Sequence, residues 1–323
     1  MNSNLSDLTN LEKANQEYIA GLELLQTSCI KCRFSPNYLD AIPHLKKAAE
    51  IYRGCGKYEK ELSSRDKLVK CFNNTQSYWE EGNEYEKISK TQLNQLKSPN
   101  DAQNSIINSF HAYATNRNYD EGIKAISKSS NEFVDSGNKE CAIKILEFAF
   151  EGIDKYYHVI TLNNEDSHLY IYECIDKYID LLFDEDNYEK ASEIALKSAE
   201  LIEKEKKDEK RIICKYYGFR AIAELLGQKE NNNFQEAIEK GMNYEENDDD
   251  FCTKINRLVN VVKQNNKENE NIIKNIYNEI SRKVPTSLGK KLNINFMAKN
   301  PINTDNSTNN DIKTTDSEEE DLK

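Results

Sequence analysis

The chain has 323 residues, 37% apolar and 31% charged, with a net charge of -12 at pH 7, five prolines and eleven glycines. The acid excess argues against general affinity for nucleic acid unless basic residues are segregated onto one face, and no apolar run reaches the roughly 18 residues needed to span a membrane. Few helix breakers among many Lys, Glu and Leu predict a mostly helical chain, long enough to bury a large core.

In chain order, Met1 to Glu12 is polar and carries acids where a signal peptide would carry positive charge followed by an apolar run. The expectation is an uncleaved, cytoplasmic protein. Amphipathic helical runs extend from about Leu11 to Arg282. After the first comes Cys29-Ile30-Lys31-Cys32-Arg33-Phe34-Ser35-Pro36, where Pro36 ends any preceding helix. Two readings stay open for this loop. Ile30 and Phe34, flanked by Lys31 and Arg33, can dip into an anionic lipid headgroup layer, or the two apolar side chains can staple the loop onto neighbouring helices.

Three runs then repeat one pattern. Tyr38, Tyr119 and Tyr188 each follow an asparagine, and small or apolar residues recur at offsets of three, four, seven, ten, eleven and fourteen. The first run reads Ala41, Ile42, Leu45, Ala48, Ala49, Tyr52. The second reads Gly122, Ile123, Ile126, Ser129, Ser130, Phe133, and the third Ala191, Ser192, Ala195, Ser198, Ala199, Ile202. Gly56 and Gly137 close the first two runs, and a weaker echo begins at Phe234. The small residues let helix backbones pack closely. Tyr38 to Tyr119 spans 81 residues, two steps of about 40, and Tyr188 follows 69 later, so the array is irregular. Such helix pairs cannot bury their apolar faces alone and stack into a solenoid whose long surfaces bind other proteins.

Asp and Asn clusters mark helix starts at Ser98 to Asp101, Asn163 to Asp166, Asn231 to Asn233 and Asn247 to Asp250, giving about thirteen or fourteen helices. The apolar spacing at Phe251, Ile255, Leu258, Val259 and Val262, and again at Ile272, Ile273, Ile276, Tyr277 and Ile280, predicts capping helices. From Pro285 the pattern dissolves, and the tail is expected to be disordered. It ends Asp316-Ser317-Glu318-Glu319-Glu320-Asp321-Leu322-Lys323, an acidic strip with one apolar anchor suited to a basic surface bearing a small pocket. The pattern therefore predicts an all-α chain: a helical-hairpin solenoid over residues 1–245, capping helices over 246–284 and an acidic tail over 285–323.

The eight cysteines are scattered, and most are expected as small buried hydrophobes. Cys29 and Cys32 form a lone CxxC without the second ligand pair a structural zinc site needs. His44, His111, His158 and His168 are dispersed. There is no HExxH, no glycine-rich phosphate loop and no paired-carboxylate motif, so neither an enzyme nor a cofactor or metal is expected.

The opening helix-loop-helix with Lys31, Phe34, Pro36, Asn37 and Tyr38, the irregular repeats and the ending Glu-Glu-Glu-Asp-Leu-Lys together resemble the soluble NSF attachment proteins, and among them the gamma type, over nearly the whole length. That resemblance implies a right-handed, tetratricopeptide-like helical-hairpin solenoid with a C-terminal helical bundle over 246–284, acting as a non-enzymatic adaptor peripherally associated with intracellular membranes. Such an adaptor coats the four-helix SNARE complex and recruits the hexameric ATPase NSF to disassemble it. It implies ATPase contacts at Glu318, Glu319, Glu320, Asp321 and Leu322, and a membrane loop at Ile30, Lys31, Arg33 and Phe34. It also implies SNARE contacts at Lys144, Lys215 and Arg220. Two further positions of that face depart from the family as Asn138 and Glu173. The competing expectation is a different helical-repeat scaffold or co-chaperone adaptor.

Overall fold

The computed structural model describes residues 2–27, 34–163, 167–206, 208–227, 233–246, 250–263 and 270–297. Among them are fourteen helices: α1 (Asn2–Leu25), α2 (Tyr38–Gly54), α3 (Tyr58–Asn74), α4 (Tyr78–Asn94), α5 (Pro99–Thr115), α6 (Tyr119–Asp135), α7 (Lys139–Asn163), α8 (Ser167–Asp184), α9 (Tyr188–Glu205), α10 (Lys210–Leu226), α11 (Asn233–Met242), α12 (Phe251–Lys263), α13 (Glu270–Ser281) and α14 (Thr286–Met297). Consecutive helices pack as pairs, and α4 against α6, α6 against α8 and α5 against α7 add contacts between pairs. This is an all-α helical-hairpin solenoid.

The underlying unit is shorter than the 40-residue step read from the tyrosines. Helices α2 to α7 begin at residues 38, 58, 78, 99, 119 and 139, so each helix plus its turn takes 20 or 21 residues. Tyr58 and Tyr78 open helices as Tyr38 does. The irregular step to Tyr188 comes mainly from α7, which has 25 residues against 17 in α2 to α6.

One device makes these short turns. A residue two before the next helix adopts the left-handed conformation: Gly56 (φ 67°), Gln76 (57°), Lys97 (55°), Arg117 (60°), Gly137 (80°) and Asp186 (57°). The following amide then reaches back to a carbonyl of the last turn. Lys57 N donates to Tyr52 O (2.8 Å), Ser77 N to Phe72 O (2.9 Å), Asn118 N to Tyr113 O (2.9 Å), Asn138 N to Phe133 O (2.8 Å) and Asn187 N to Leu182 O (2.8 Å). This closure satisfies carbonyls that a helix end otherwise leaves unpaired. Only two of the six positions are glycine, so the sequence signalled the left-handed backbone at two of these turns and not at the other four.

The repeat positions face inward. Ala41, Leu45, Ala48, Ala49 and Tyr52 are buried in α2, Gly122, Ile123, Ile126, Ser130 and Phe133 in α6, and all six predicted positions in α9. Cys71, Cys141, Cys174, Cys214 and Cys252 are buried too, as small hydrophobes should be.

The apolar core is not continuous. One large cluster runs from Leu93 to Leu292, while α1 to α3 hold two small ones around Leu45, Leu68 and Phe72 and around Ala14, Ala48 and Tyr52. Between them lies a polar layer. Arg65 of α3 donates through Nε to Glu61 Oε1 (2.8 Å) and through Nη1 to Glu84 Oε2 of α4 (2.6 Å). All three are buried: Glu61 at 0%, Arg65 at 4% and Glu84 at 2% exposure. Lys87, half-exposed, adds a contact to Glu84 at 2.6 Å.

Glu81, buried in the same helix, accepts from Asn73 Nδ2 at 3.2 and 3.3 Å. Burial pushes its carboxyl above the usual carboxylate range, with the Asn73 bond opposing. A folded-state value raised above the unfolded one favours the fold at low pH, and this advantage is lost as pH rises through the folded value. Glu81→Gln keeps an acceptor for Asn73 and removes the charge. It is expected to stabilise the protein at neutral pH. The gain should vanish below the ordinary carboxylate range, as read by urea unfolding at a series of pH values.

Beyond the solenoid, α12 packs on α10 and α11, and the chain then returns. Disorder was expected from Pro285, and this is corrected over residues 286–297. There α14 seats Leu288 and Leu292, at 0% and 1% exposure, against α8. Asp180 Oδ1 of α8 accepts from Ser287 N (2.8 Å) at the start of α14, and Tyr277 OH donates to Gly289 O (2.9 Å). Two leucines four residues apart suffice for a short helix when a preformed surface receives them, a signal too sparse to read in the sequence. Residues 298–323, with the acidic ending, lie outside the described residues.

Candidate interaction surface

The first hairpin presents an apolar end. Phe34 is 80% exposed, and Leu39 of α2 at 68% and Ile19 of α1 at 55% are further large apolar side chains left open. The local sequence sets this up. Asn37 N donates to Leu24 O (2.9 Å) and Asn37 Oδ1 accepts from Asp40 N (3.2 Å), pinning the entry to α2 and leaving Phe34 beyond it. For Phe34 the stapling alternative therefore does not hold. Ile30, Lys31 and Arg33, with Cys29 and Cys32, lie outside the described residues, and so do Glu318, Glu319, Glu320, Asp321 and Leu322.

A charged face runs over α6, α8 and α10. Lys215 Nζ of α10 sits 2.6 Å from Asp176 Oδ2 of α8 and lies over the rings of Tyr216 and Phe219, 5.1 and 5.6 Å from their centroids. Burial pushes the Asp176 carboxyl up, and Lys215 pulls it back. On α8, Lys177 pairs with Glu173 (2.7 Å) and donates to Ser127 O (3.1 Å) and Oγ (2.9 Å) of α6. Lys124 of α6 lies 4.2 Å from the centre of the Tyr170 ring of α8. The cations of this face thus tie adjacent helices together while keeping part of their surface in water.

The three expected SNARE-contacting cations sit on two helices and differ in exposure. Lys215 and Arg220 share α10, whereas Lys144 is on α7, half-exposed and 2.7 Å from Glu140, whose carboxyl it holds below the usual range. Arg220 is not an openly presented cation. It is 5% exposed, its Nη2 lies 3.6 Å from Glu236, and its Nε and Nη1 have no hydrogen-bond partner among the described residues. It borders a cavity of about 230 Å³ between α9, α10 and α11, with Tyr188, Leu196 and Glu224. The reason is packing: α11 covers the face of α10 that carries Arg220. Asn138 is exposed and completes the α6–α7 turn, so its position serves the backbone, while Glu173 puts an acid beside Lys177.

The four histidines sit on four helices. His44 is 2.7 Å from Glu17, His111 packs on Phe110 and Phe148, His158 is 3.5 Å from Glu205 and His168 packs on Tyr172. None joins a metal-ligating group among the described residues. No described helix is long and apolar enough to cross a membrane. What sequence reasoning missed is the buried polar layer of Glu61, Arg65 and Glu84. Its only trace in the sequence is a charge spacing of four residues that looks like any solvated helix face. No protein-family model matches the chain, and no curated protein matches it either.

Proposed function

We propose that this protein is an adaptor of the soluble NSF attachment type, which grips SNARE helical bundles along its solenoid and recruits and stimulates a hexameric ATPase through its acidic C-terminal strip. The observation that carries the reading is the exposed Phe34 on the first hairpin of a helical-hairpin solenoid whose sequence ends, at the other terminus, in an acidic run with Leu322. Leu39 and Ile19 enlarge the apolar end and support peripheral contact with a membrane. Lys215 and Lys177, each already paired within the solenoid, suit contacts that are individually weak. Many such contacts give fast, salt-sensitive association, which an adaptor released at each cycle needs.

Co-sedimentation with SNARE complex and the ATPase tests this. SNARE binding at low salt should fall steeply as salt rises, and Leu322→Ala should retain binding while losing most of the ATPase stimulation. Phe34→Ser should impair disassembly on liposomes more than in detergent. Absence of SNARE binding at low salt removes the proposal. Equal activity of Phe34→Ser in liposomes and detergent removes the membrane role alone.

A further inference from the structure

Three residues far apart in the chain meet where the solenoid joins the C-terminal bundle. Cys214 lies on α10, Glu245 in the connection after α11, and Cys252 in the first turn of α12. Their two sulfurs and a carboxylate oxygen all lie within 4.8 Å of one another. The sulfurs are 3.7 Å apart. That is far beyond the roughly 2.05 Å of a disulfide, but close to the edge, about 3.8 Å, of a tetrahedron whose metal–sulfur bonds are about 2.3 Å long.

The surroundings are those of a held site. Both Glu245 oxygens are fixed by one residue: Oε1 accepts from Thr253 N (2.7 Å) and Oε2 from Thr253 Oγ1 (2.6 Å). Such outer hydrogen bonds orient metal-ligating carboxylates and leave lone pairs for an ion. Gly241 of α11 makes room, since a Cβ there would stand 2.2 Å from Cys252 Sγ. Both cysteines are fully buried, and the partly exposed Glu245 opens the group to solvent.

We propose that Cys214, Cys252 and Glu245 form a binding site for a thiophilic divalent cation of the zinc class. Two thiolates and one carboxylate select such an ion over magnesium or calcium, and three protein ligands leave the fourth position to water. Binding is a simple exchange. Two S–H bonds break, two metal–sulfur bonds form, and two protons leave to solvent, with no oxidation. Because the ligands come from α10, α12 and the connection before α12, the ion clamps the bundle to the solenoid. This site is independent of the adaptor reading.

The test uses the full chain carrying Cys29→Ser and Cys32→Ser, so that the CxxC pair contributes nothing, after reduction and chelator treatment. Titration with Cd²⁺ should give a thiolate-to-cadmium charge-transfer band that saturates at one equivalent, with two protons released per ion. Zn²⁺ should displace the Cd²⁺ and raise the thermal midpoint by roughly 5 °C at a hundredfold excess over its dissociation constant. Cys214→Ser should abolish the band. Glu245→Gln can still accept from Thr253 N and take up Thr253 Oγ1, and it should weaken binding about tenfold or more with the helical circular dichroism unchanged. Absence of the band in the folded reduced protein overturns the proposal, as does a band of equal strength in Cys214→Ser.

Discussion

Arg65→Met is expected to destabilise the first three helices by about 3–5 kcal/mol, because it strands two buried carboxylates. Glu61 and Glu84 are at 0% and 2% exposure, and Arg65 bonds to both, at 2.8 and 2.6 Å. With the guanidinium gone, Glu61 keeps, among the described residues, only the Thr91 hydroxyl at 3.4 Å, and Glu84 keeps the half-exposed Lys87. The location magnifies the effect. This layer lies where the apolar clusters of α1 to α3 give way to the large cluster beginning at Leu93. A repeat array is held by nearest-neighbour interfaces, so one failed interface frees everything on its outer side. Hydrogen exchange should therefore show loss of protection in α1 to α3 with α5 to α10 little changed. The triple change Glu61→Leu, Arg65→Met, Glu84→Leu should recover most of the stability, because an apolar layer needs no ion pairing. A single variant that unfolds at the same urea concentration as the parent would refute this account. Under the adaptor reading, the single variant should also lose the liposome advantage, since Phe34 would no longer be mounted on a fixed hairpin.

The second large effect is expected at Gly218, on the face of α10 that receives α12. A Cβ there would stand 2.2 Å from Phe251 Cε1, 2.6 Å from its Cδ1 and 3.2 Å from Ile255 Cδ1. Phe251 has little room to yield: it is 2% exposed and meets the Phe219 ring edge-on at 6.2 Å. Overpacking of this kind costs about 1–3 kcal/mol when the core adjusts. Here the cheapest adjustment is for α12 to leave. Gly218→Val should thus open the bundle, with raised exchange and proteolytic cleavage in residues 251–263, while α2 to α6 keep their protection. Adding Phe251→Ala should restore much of the docking by vacating the space the new side chain fills. If the adaptor reading holds, Gly218→Val should retain SNARE binding and lose ATPase stimulation, because the acidic strip follows the bundle in the chain. Intact protection of α12 in Gly218→Val would show that Phe251 has space to move and remove the argument.

Local pattern carried a large part of the architecture. The tyrosine-led runs at Tyr38, Tyr119 and Tyr188 began helices at those residues, and their small inward positions are nearly all buried, because helical periodicity alone decides which face can leave water. Gly56 and Gly137 marked turns for the same local reason, a left-handed backbone that glycine adopts without cost. The sequence left Phe34 open between exposure and stapling, and only the structure places it outside the packed helices. Other features depended on partners distant in sequence. Gln76, Lys97, Arg117 and Asp186 take the left-handed conformation because packed helices on both sides impose it. Arg65 is buried because α4 supplies Glu84, Arg220 because α11 covers it, and α14 is helical where α8 offers a surface for Leu288 and Leu292. Cys214, Glu245 and Cys252 meet only once α12 has docked. Sequence by itself determined the repeat helices and their inner faces, since these depend on residues within one or two turns of each other. Tertiary structure decided which charges lie buried and what α14 packs against, since desolvation and ion pairing are set by neighbours tens of residues away.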